Sequence, residues 1–83
     1  MEATGSYDFS AKYLENLLQG NRLNCSAIAK QYLAQNPSFL QLYEEVFKVA
    51  LYEMGRLWET NQLSVATKHM ATAITERIRN LLS

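Results

Sequence analysis

The sequence is poor in the residues that mark linkers, disulfide frameworks and metal clusters. Its 83 residues include one proline, three glycines, one cysteine and one histidine. So few glycines and prolines argue against a disordered chain or a linker. A single cysteine excludes an internal disulfide and a multi-cysteine metal site. We therefore interpret Cys25 as a small residue in the core or at its edge.

Charge of one sign and long hydrophobic runs are also missing. Eight Lys and Arg balance eight Asp and Glu, and nothing resembles the concentrated positive surface that binds nucleic acid. The longest apolar run, Val49 to Tyr52, is far shorter than the ~20 residues that span a bilayer. We expect a cytoplasmic protein that contacts neither nucleic acid nor membrane.

Apolar side chains at helical spacing are what the sequence does have. Hydrophobic residues make up 48% of the chain, which is enough for one compact core and one domain. Residues 1–7 carry no periodicity and are predicted to be a disordered lead, while residues 8–83 form the domain. Apolar residues recur every three or four positions in four segments with short connections. The predicted fold is all-α, an antiparallel four-helix bundle.

Turn and cap residues divide the four predicted helices. Gly20 ends the first helix and Asn61 follows the third, because both residues tolerate the left-handed conformation. Asn21 or Asn24, then Ser38, then Ser64 are the predicted N-caps of the later helices. The third helix, about residues 39–60, is apolar over half its circumference and is predicted to be the central strut.

Each predicted helix has an apolar stripe that should face the core. The first stripe is Phe9, Tyr13, Leu14, Leu17 and Leu18. The second is Leu23, Ile28, Ala29, Tyr32 and Leu33. The third has Phe39, Tyr43, Val46, Ala50 and Leu57 along one line, with Leu42 on a flank. The fourth is Ala66, Met70, Ala73, Ile74, Ile78 and Leu81.

Few residues suggest chemistry, so the chain alone is predicted not to be an enzyme. It has one histidine, no glycine-rich phosphate loop and no cysteine beside an obvious base. Trp58 has a plain interpretation as a core residue. His69 projects about 100° from the fourth stripe, so it is either a ligand contact or a partly exposed side chain paired with Glu76 or with a backbone group. Lys68 lies further around the fourth helix from its apolar stripe, and we interpret it as a solvated charge.

Residues 49–74 are more specific when they are read together. Their pattern resembles the helical cap of cobalamin (B12)-binding domains, as in methionine synthases, corrinoid proteins and B12-dependent photoreceptor regulators. The family pattern is approximately Pro-Ala-Leu-x-x-Val-Gly-x-Leu-Trp-x-x-Gly-x-Ile-Ser-Val-Ala-x-Glu-His. Direct matches to it are Ala50, Leu51, Gly55, Leu57, Trp58, Ser64, Val65, Ala66 and His69. The earlier segment 17–22 resembles the family's Leu-Leu-x-Gly-Asp-Arg, so the resemblance extends over about residues 13–82.

The resemblance implies a cofactor and a second domain. In such proteins a four-helix bundle covers the upper face of the corrin ring, and a Rossmann-like domain holds its lower face and nucleotide tail. For this sequence, the resemblance implies that Trp58 packs against the upper face of the corrin and that His69 is a nearby polar contact. Lys68, Val65 and Thr72 complete the predicted cofactor-binding set. A bacterial sensor or transcription regulator is the implied setting.

Two departures from the family pattern shape these expectations. Lys68 stands where the pattern has Glu, and an ammonium cannot accept hydrogen bonds from ribose hydroxyls, which argues against adenosyl recognition. The family's lower-ligand motif, Asp-x-His-x-x-Gly, does not occur in these 83 residues. Binding of cobalamin therefore requires a Rossmann-like domain that this chain does not contain.

Two alternatives remain open at the level of sequence. The bundle could be a cofactor-free interaction or homodimerisation module that uses apolar flanks such as Leu40, Leu51 and Trp58. Alternatively, His69 could hold haem as a lone axial ligand, although no other residue supports that interpretation.

Overall fold

The structure, a computed structural model, describes residues 5–82 of the chain and the side chains from residue 9 onward. Its elements are α1 (Gly5–Leu18), α2 (Arg22–Gln35), α3 (Phe39–Leu42), a π-helical segment (Tyr43–Phe47), α4 (Lys48–Glu59) and α5 (Val65–Leu82). The segment 39–59 is helical without a break, and we call it the long helix. Residues 5–82 thus form four helices and no strand, which confirms the predicted all-α bundle. None of these helices is both long and apolar enough to cross a membrane.

The first helix begins earlier than the sequence predicted. Residues 5–7 already belong to α1, so they are not part of a disordered lead. Residues 1–4, the rest of that predicted lead, lie outside the described residues.

Left-handed residues close two of the helices, as predicted. The backbone angle φ is +74° at Gly20 and +61° at Asn61. The residue after each of these, Asn21 in the first turn and Gln62 in the second, donates its amide to a carbonyl five residues back, at 2.9 Å in both turns. These bonds satisfy carbonyls that the helix end would otherwise leave unpaired.

The predicted N-caps are also confirmed. The side-chain oxygens of Asn21, Ser38 and Ser64 each accept a hydrogen bond from the amide three residues later, at 3.2, 3.3 and 3.1 Å. Because these interactions are local, they could be read directly from the sequence.

The core draws side chains from every helix. Its fully or almost fully buried hydrophobic members are Tyr13, Leu17, Cys25, Ala29, Tyr32, Leu42, Val46, Phe47, Ala50, Met54, Ala71 and Ile78. Both α1 and the long helix pack against all the other helices. The long helix is central, as predicted, and α1 shares this position with it. Within residues 5–82, α2 and α5 do not pack closely against each other.

The π-helical segment changes which side of the long helix is buried. The Lys48 amide donates to the Tyr43 carbonyl five residues back, so this turn holds one extra residue. Leu42 is buried although it was predicted on a flank, while Tyr43 and Leu57 of the predicted line are only half-buried. Four buried positions recur every four residues: Leu42, Val46, Ala50 and Met54. In a regular α-helix, side chains spaced four residues apart point in directions that differ by about 40°, so such a series would turn away from the core. The extra residue in the π-helical segment offsets this rotation.

The buried face of α5 is about 100° away from the predicted stripe. Ala71, Thr75 and Ile78 are buried. In the predicted stripe, Ala66, Met70, Ala73 and Leu81 are exposed instead. The prediction for these four residues was therefore wrong.

A buried hydrogen bond explains the rotation of α5. The hydroxyl oxygens of Tyr13 and Thr75 are 2.9 Å apart, and both side chains are buried. Desolvation by burial raises the pKa of the Tyr13 hydroxyl far above its usual value, so this group stays protonated and needs a partner. Thr75 supplies that partner only when its side of α5 faces inward.

In α2 too, the structure buries a residue that hydrogen-bonds to Tyr13 and exposes a larger hydrophobic one. Leu23 was predicted in its stripe but is 79% exposed, whereas Cys25 is fully buried, as we expected. The Cys25 thiol donates to the Tyr13 carbonyl at 3.7 Å, and burial raises its pKa to about 11.

Replacing Thr75 by valine keeps the shape of the side chain but removes the partner of the Tyr13 hydroxyl. We expect the free energy of unfolding to fall by about 1–3 kcal/mol, the cost of a buried unsatisfied polar group. Urea unfolding of the chain measures this loss. The matched control is Thr72→Val, because Thr72 is exposed and its hydroxyl bonds only the Lys68 carbonyl of its own helix. Equal losses in the two variants would contradict this account of α5.

Candidate functional site

The site predicted from the sequence lies where α4 ends and α5 begins. Trp58 is in the last turn of α4, Lys68 is in the first turn of α5, and residues 60–64 connect them. The connection is held by the left-handed Asn61 and by the cap at Ser64. The Thr60 hydroxyl also lies 3.1 Å from the Leu57 carbonyl oxygen. These bonds define where α4 ends and where α5 begins.

Trp58 and Lys68 are in direct contact at the surface. The Lys68 ammonium nitrogen lies 4.9 Å from the centroid of the indole ring, within the range of an attractive cation–π interaction. Trp58 remains 36% exposed, so its interpretation as a sealed core residue was wrong. Lys68 is half-buried, so it is not the freely solvated charge that the sequence suggested.

His69 faces away from the bundle. It lies about 150° around α5 from the mean direction of the buried residues Ala71, Thr75 and Ile78, whereas Lys68 lies only about 50° away. His69 is exposed and, among the residues that the structure describes, it has no hydrogen-bond or ion-pair partner. The predicted shoulder position and the pairing with Glu76 are therefore wrong.

The other two predicted contacts lie on the same outer side of α5 as His69. Val65 is 52% exposed, and it precedes His69 by one helical turn. Thr72 is also exposed, but its hydroxyl donates to the Lys68 carbonyl at 3.0 Å. Of the five predicted cofactor contacts, the structure joins Trp58 to Lys68 and leaves Val65, His69 and Thr72 facing solvent. Their part in binding a cofactor remains a prediction.

Gly55 is a candidate that the residue-by-residue interpretation did not select. It lies one turn before Trp58 on α4, and a Cβ atom built there would meet no atom within 4 Å. Glycine in a helix interior costs about 1 kcal/mol relative to alanine, and nothing in the packing requires it here. The bare backbone therefore leaves an accessible surface beside the indole. The available signal was a lone glycine within a strongly helical pattern.

No metal-binding cluster accompanies this surface. Among the described residues, no three His, Cys, Asp or Glu side chains lie together in a way that could hold a metal ion. What the surface offers is a partly exposed indole in contact with one ammonium group, with the half-buried Gly55 one turn earlier on α4 and the exposed Val65 one turn before Lys68 on α5. Such a surface can pack against a flat, largely apolar ligand and donate a hydrogen bond at its edge.

Comparisons with known proteins identify the family. Curated proteins and solved structures give no match to the chain. A family model described as the B12 binding domain matches residues 10–82, a range that includes both helix ends of the site, most of α1 and the other three helices. The chain therefore belongs to the B12 binding domain family, in which it corresponds to the helical cap subdomain.

Proposed function

We propose that this chain covers the upper face of a cobalamin whose lower face and nucleotide tail are held by a Rossmann-like domain outside these residues. The observation that carries the proposal is the position of Trp58. This indole is 36% exposed at a helix end, so part of its large apolar surface is available to a ligand. The family assignment supplies the class of ligand.

The residues around Trp58 suit the upper face of a corrin. The indole and the Val65 side chain provide apolar surface, and Gly55 lets the ligand approach the backbone of α4. Cobalamin, when bound, supplies an exchangeable cobalt–ligand bond. The role of this chain is to exclude water from that bond and to limit the size of the upper ligand.

Lys68 adds a preference among upper ligands. Its ammonium group covers one part of the indole, and it can donate hydrogen bonds but not accept them. We propose that the site favours a small upper ligand without ribose hydroxyls. A non-enzymatic sensor or regulator that reports the state of this ligand fits such a site. That role, a cytoplasmic location and an attached output domain remain predictions from the sequence.

The central test is retention of cobalamin by the complete natural gene product that contains this chain. We expect methylcobalamin to stay bound through gel filtration, and Trp58→Ala to weaken its binding roughly tenfold or more through lost apolar contact. Tyr52→Ala is the matched control, because Tyr52 is an aromatic residue of α4 that is 76% exposed and precedes Trp58 by six positions. Absorbance of the retained corrin provides the measurement.

Stability measurements separate this proposal from a cofactor-free interaction module. Phe47→Ala, at a fully buried position, should cost ~3–5 kcal/mol of unfolding free energy, and Trp58→Ala should cost clearly less. If no cobalamin binds and Trp58→Ala is as costly as Phe47→Ala, the cap function is refuted.

Gly55→Ala tests the exposed backbone beside the indole. Apart from the neighbouring backbone of α4, an alanine there meets no atom of the described residues within 4 Å, so we expect the free energy of unfolding to rise by about 0.5–1 kcal/mol. Cobalamin binding to the natural protein should nevertheless weaken, because the methyl group occupies space that the ligand uses. A variant that is more stable yet binds less cannot be explained by misfolding. Unchanged affinity would show that the ligand does not approach Gly55.

Lys68→Glu tests the ligand preference. We expect the ratio of adenosylcobalamin to methylcobalamin affinity to rise roughly tenfold, since a carboxylate can accept hydrogen bonds from ribose hydroxyls. Lys30→Glu makes the same charge change at an exposed position on α2 and should leave the ratio unaltered. Equilibrium dialysis with both cobalamins measures the ratio. Should the two variants behave alike, Lys68 has no part in selecting the upper ligand.

A further inference from the structure

An apolar groove of about 330 Å³ lies between α2 and α5, away from the Trp58–Lys68 contact. Its apolar lining includes Leu23 from α2 and Met70, Ile74 and Leu81 from α5. Met70 follows Lys68 by two residues, so its side chain starts about 200° further round the helix. The groove and the candidate cofactor surface therefore lie on different sides of α5.

The groove is open because of how the helices pack. Within residues 5–82, α1 and the long helix contact every other helix, whereas α2 and α5 do not pack closely against each other. As a result, Leu23 is 79% exposed, Leu81 is 73% exposed and Met70 is 37% exposed. Three of the larger exposed hydrophobic side chains thus share one surface, and such clustering is typical of interaction sites.

The charge at the rim of the groove is positive. Arg22 and Arg77 both line it, and none of the acidic residues that the structure describes does. Neither arginine forms an ion pair with any residue that the structure describes. A partner that covers the apolar lining must therefore also meet two guanidinium groups, and carboxylates would do so favourably.

We propose that this groove binds an amphipathic helix of a partner protein, with aliphatic side chains along one face and carboxylates beside them. A helix satisfies its own backbone hydrogen bonds. An extended peptide would find no open sheet edge here, because the groove walls are helices whose backbone groups are already paired. This interaction is separate from the proposed cobalamin site and goes beyond it.

Two other occupants fit the observations less well. A second copy of the chain that docked groove to groove would bring four arginines together, since a two-fold interface pairs each surface with itself. A small apolar acid would remain largely uncovered between walls as exposed as Leu23 and Leu81, whereas small-molecule sites usually bury most of their ligand.

The test measures binding of a fluorescein-labelled helical peptide to the full 83-residue chain by anisotropy. The peptide is about 15 residues long, with leucines every third or fourth position and glutamates on both flanks. We expect saturable binding with a Kd of roughly 10–100 µM. A peptide of the same composition, scrambled so that its leucines do not share a face, should not bind measurably.

Exposed positions provide matched variants that should fold normally. Arg77→Glu should weaken peptide binding roughly tenfold, whereas Arg79→Glu, two residues away on α5 and outside the groove lining, should not. Leu81→Ala should weaken binding roughly fivefold. Leu40→Ala removes a leucine of similar exposure, 68%, on another surface and should have no effect. Circular dichroism confirms that all four variants are folded.

Three results would overturn the proposal. The first is absence of saturable binding, or equal effects of the groove variants and their controls. The second is a dimer of the chain that is detected by sedimentation and dissociated by Leu81→Ala. Such a dimer would identify the occupant of the groove as a second copy of the chain. The third is displacement of the peptide by decanoate at lower concentration than by unlabelled peptide, which identifies a small amphipathic acid instead.

Discussion

Tyr13 on α1 contacts each of the other three helices. Its hydroxyl lies 2.9 Å from that of Thr75 on α5, its ring centroid is 5.1 Å from that of Phe47 in the long helix, and its carbonyl accepts the Cys25 thiol of α2. The ring contacts alone could be made by any large apolar residue. The buried hydroxyl is different, because it must have a partner and only one orientation of α5 provides it. The packing of the bundle depends on this requirement.

The orientation of α5 in turn determines what each of its sides presents. With Thr75 inward, Lys68 is directed toward the end of α4 and meets Trp58, while His69 faces solvent. The same rotation brings Met70 and Leu81 to the edge beside α2 instead of into the core. The candidate cofactor surface and the apolar groove therefore have one origin. A bundle that buried its most hydrophobic stripe on α5 would lack both.

The sequence predicted the parts of the structure that depend on neighbouring residues. Four helices, the left-handed Gly20 and Asn61, and the cap at Ser64 all follow from interactions within a few positions. The buried face of α5 did not follow, because hydrophobicity favours Met70 over Thr75, and the partner of Thr75 is 62 positions away.

The sequence likewise predicted only part of the candidate site. A resemblance spread over residues 49–74 singled out Trp58 and His69, with Lys68 as a departure from the family pattern, since it is a property of the whole segment. The structure instead brings Lys68 to Trp58 and leaves His69 facing solvent. Neither the contact between Trp58 and Lys68 nor the open surface at Gly55 could be derived, because both depend on the angle at which α5 leaves the turn after α4. The π-helical segment has a further consequence for that geometry. The extra residue between Tyr43 and Lys48 sets the direction in which every later side chain of α4 projects, so a homologue shortened by one residue there would carry its tryptophan about 100° around the helix axis. The length of the π-helical segment, three turns away, thus governs which way the indole points, and an alignment gap at this place would mark a protein whose indole faces something else.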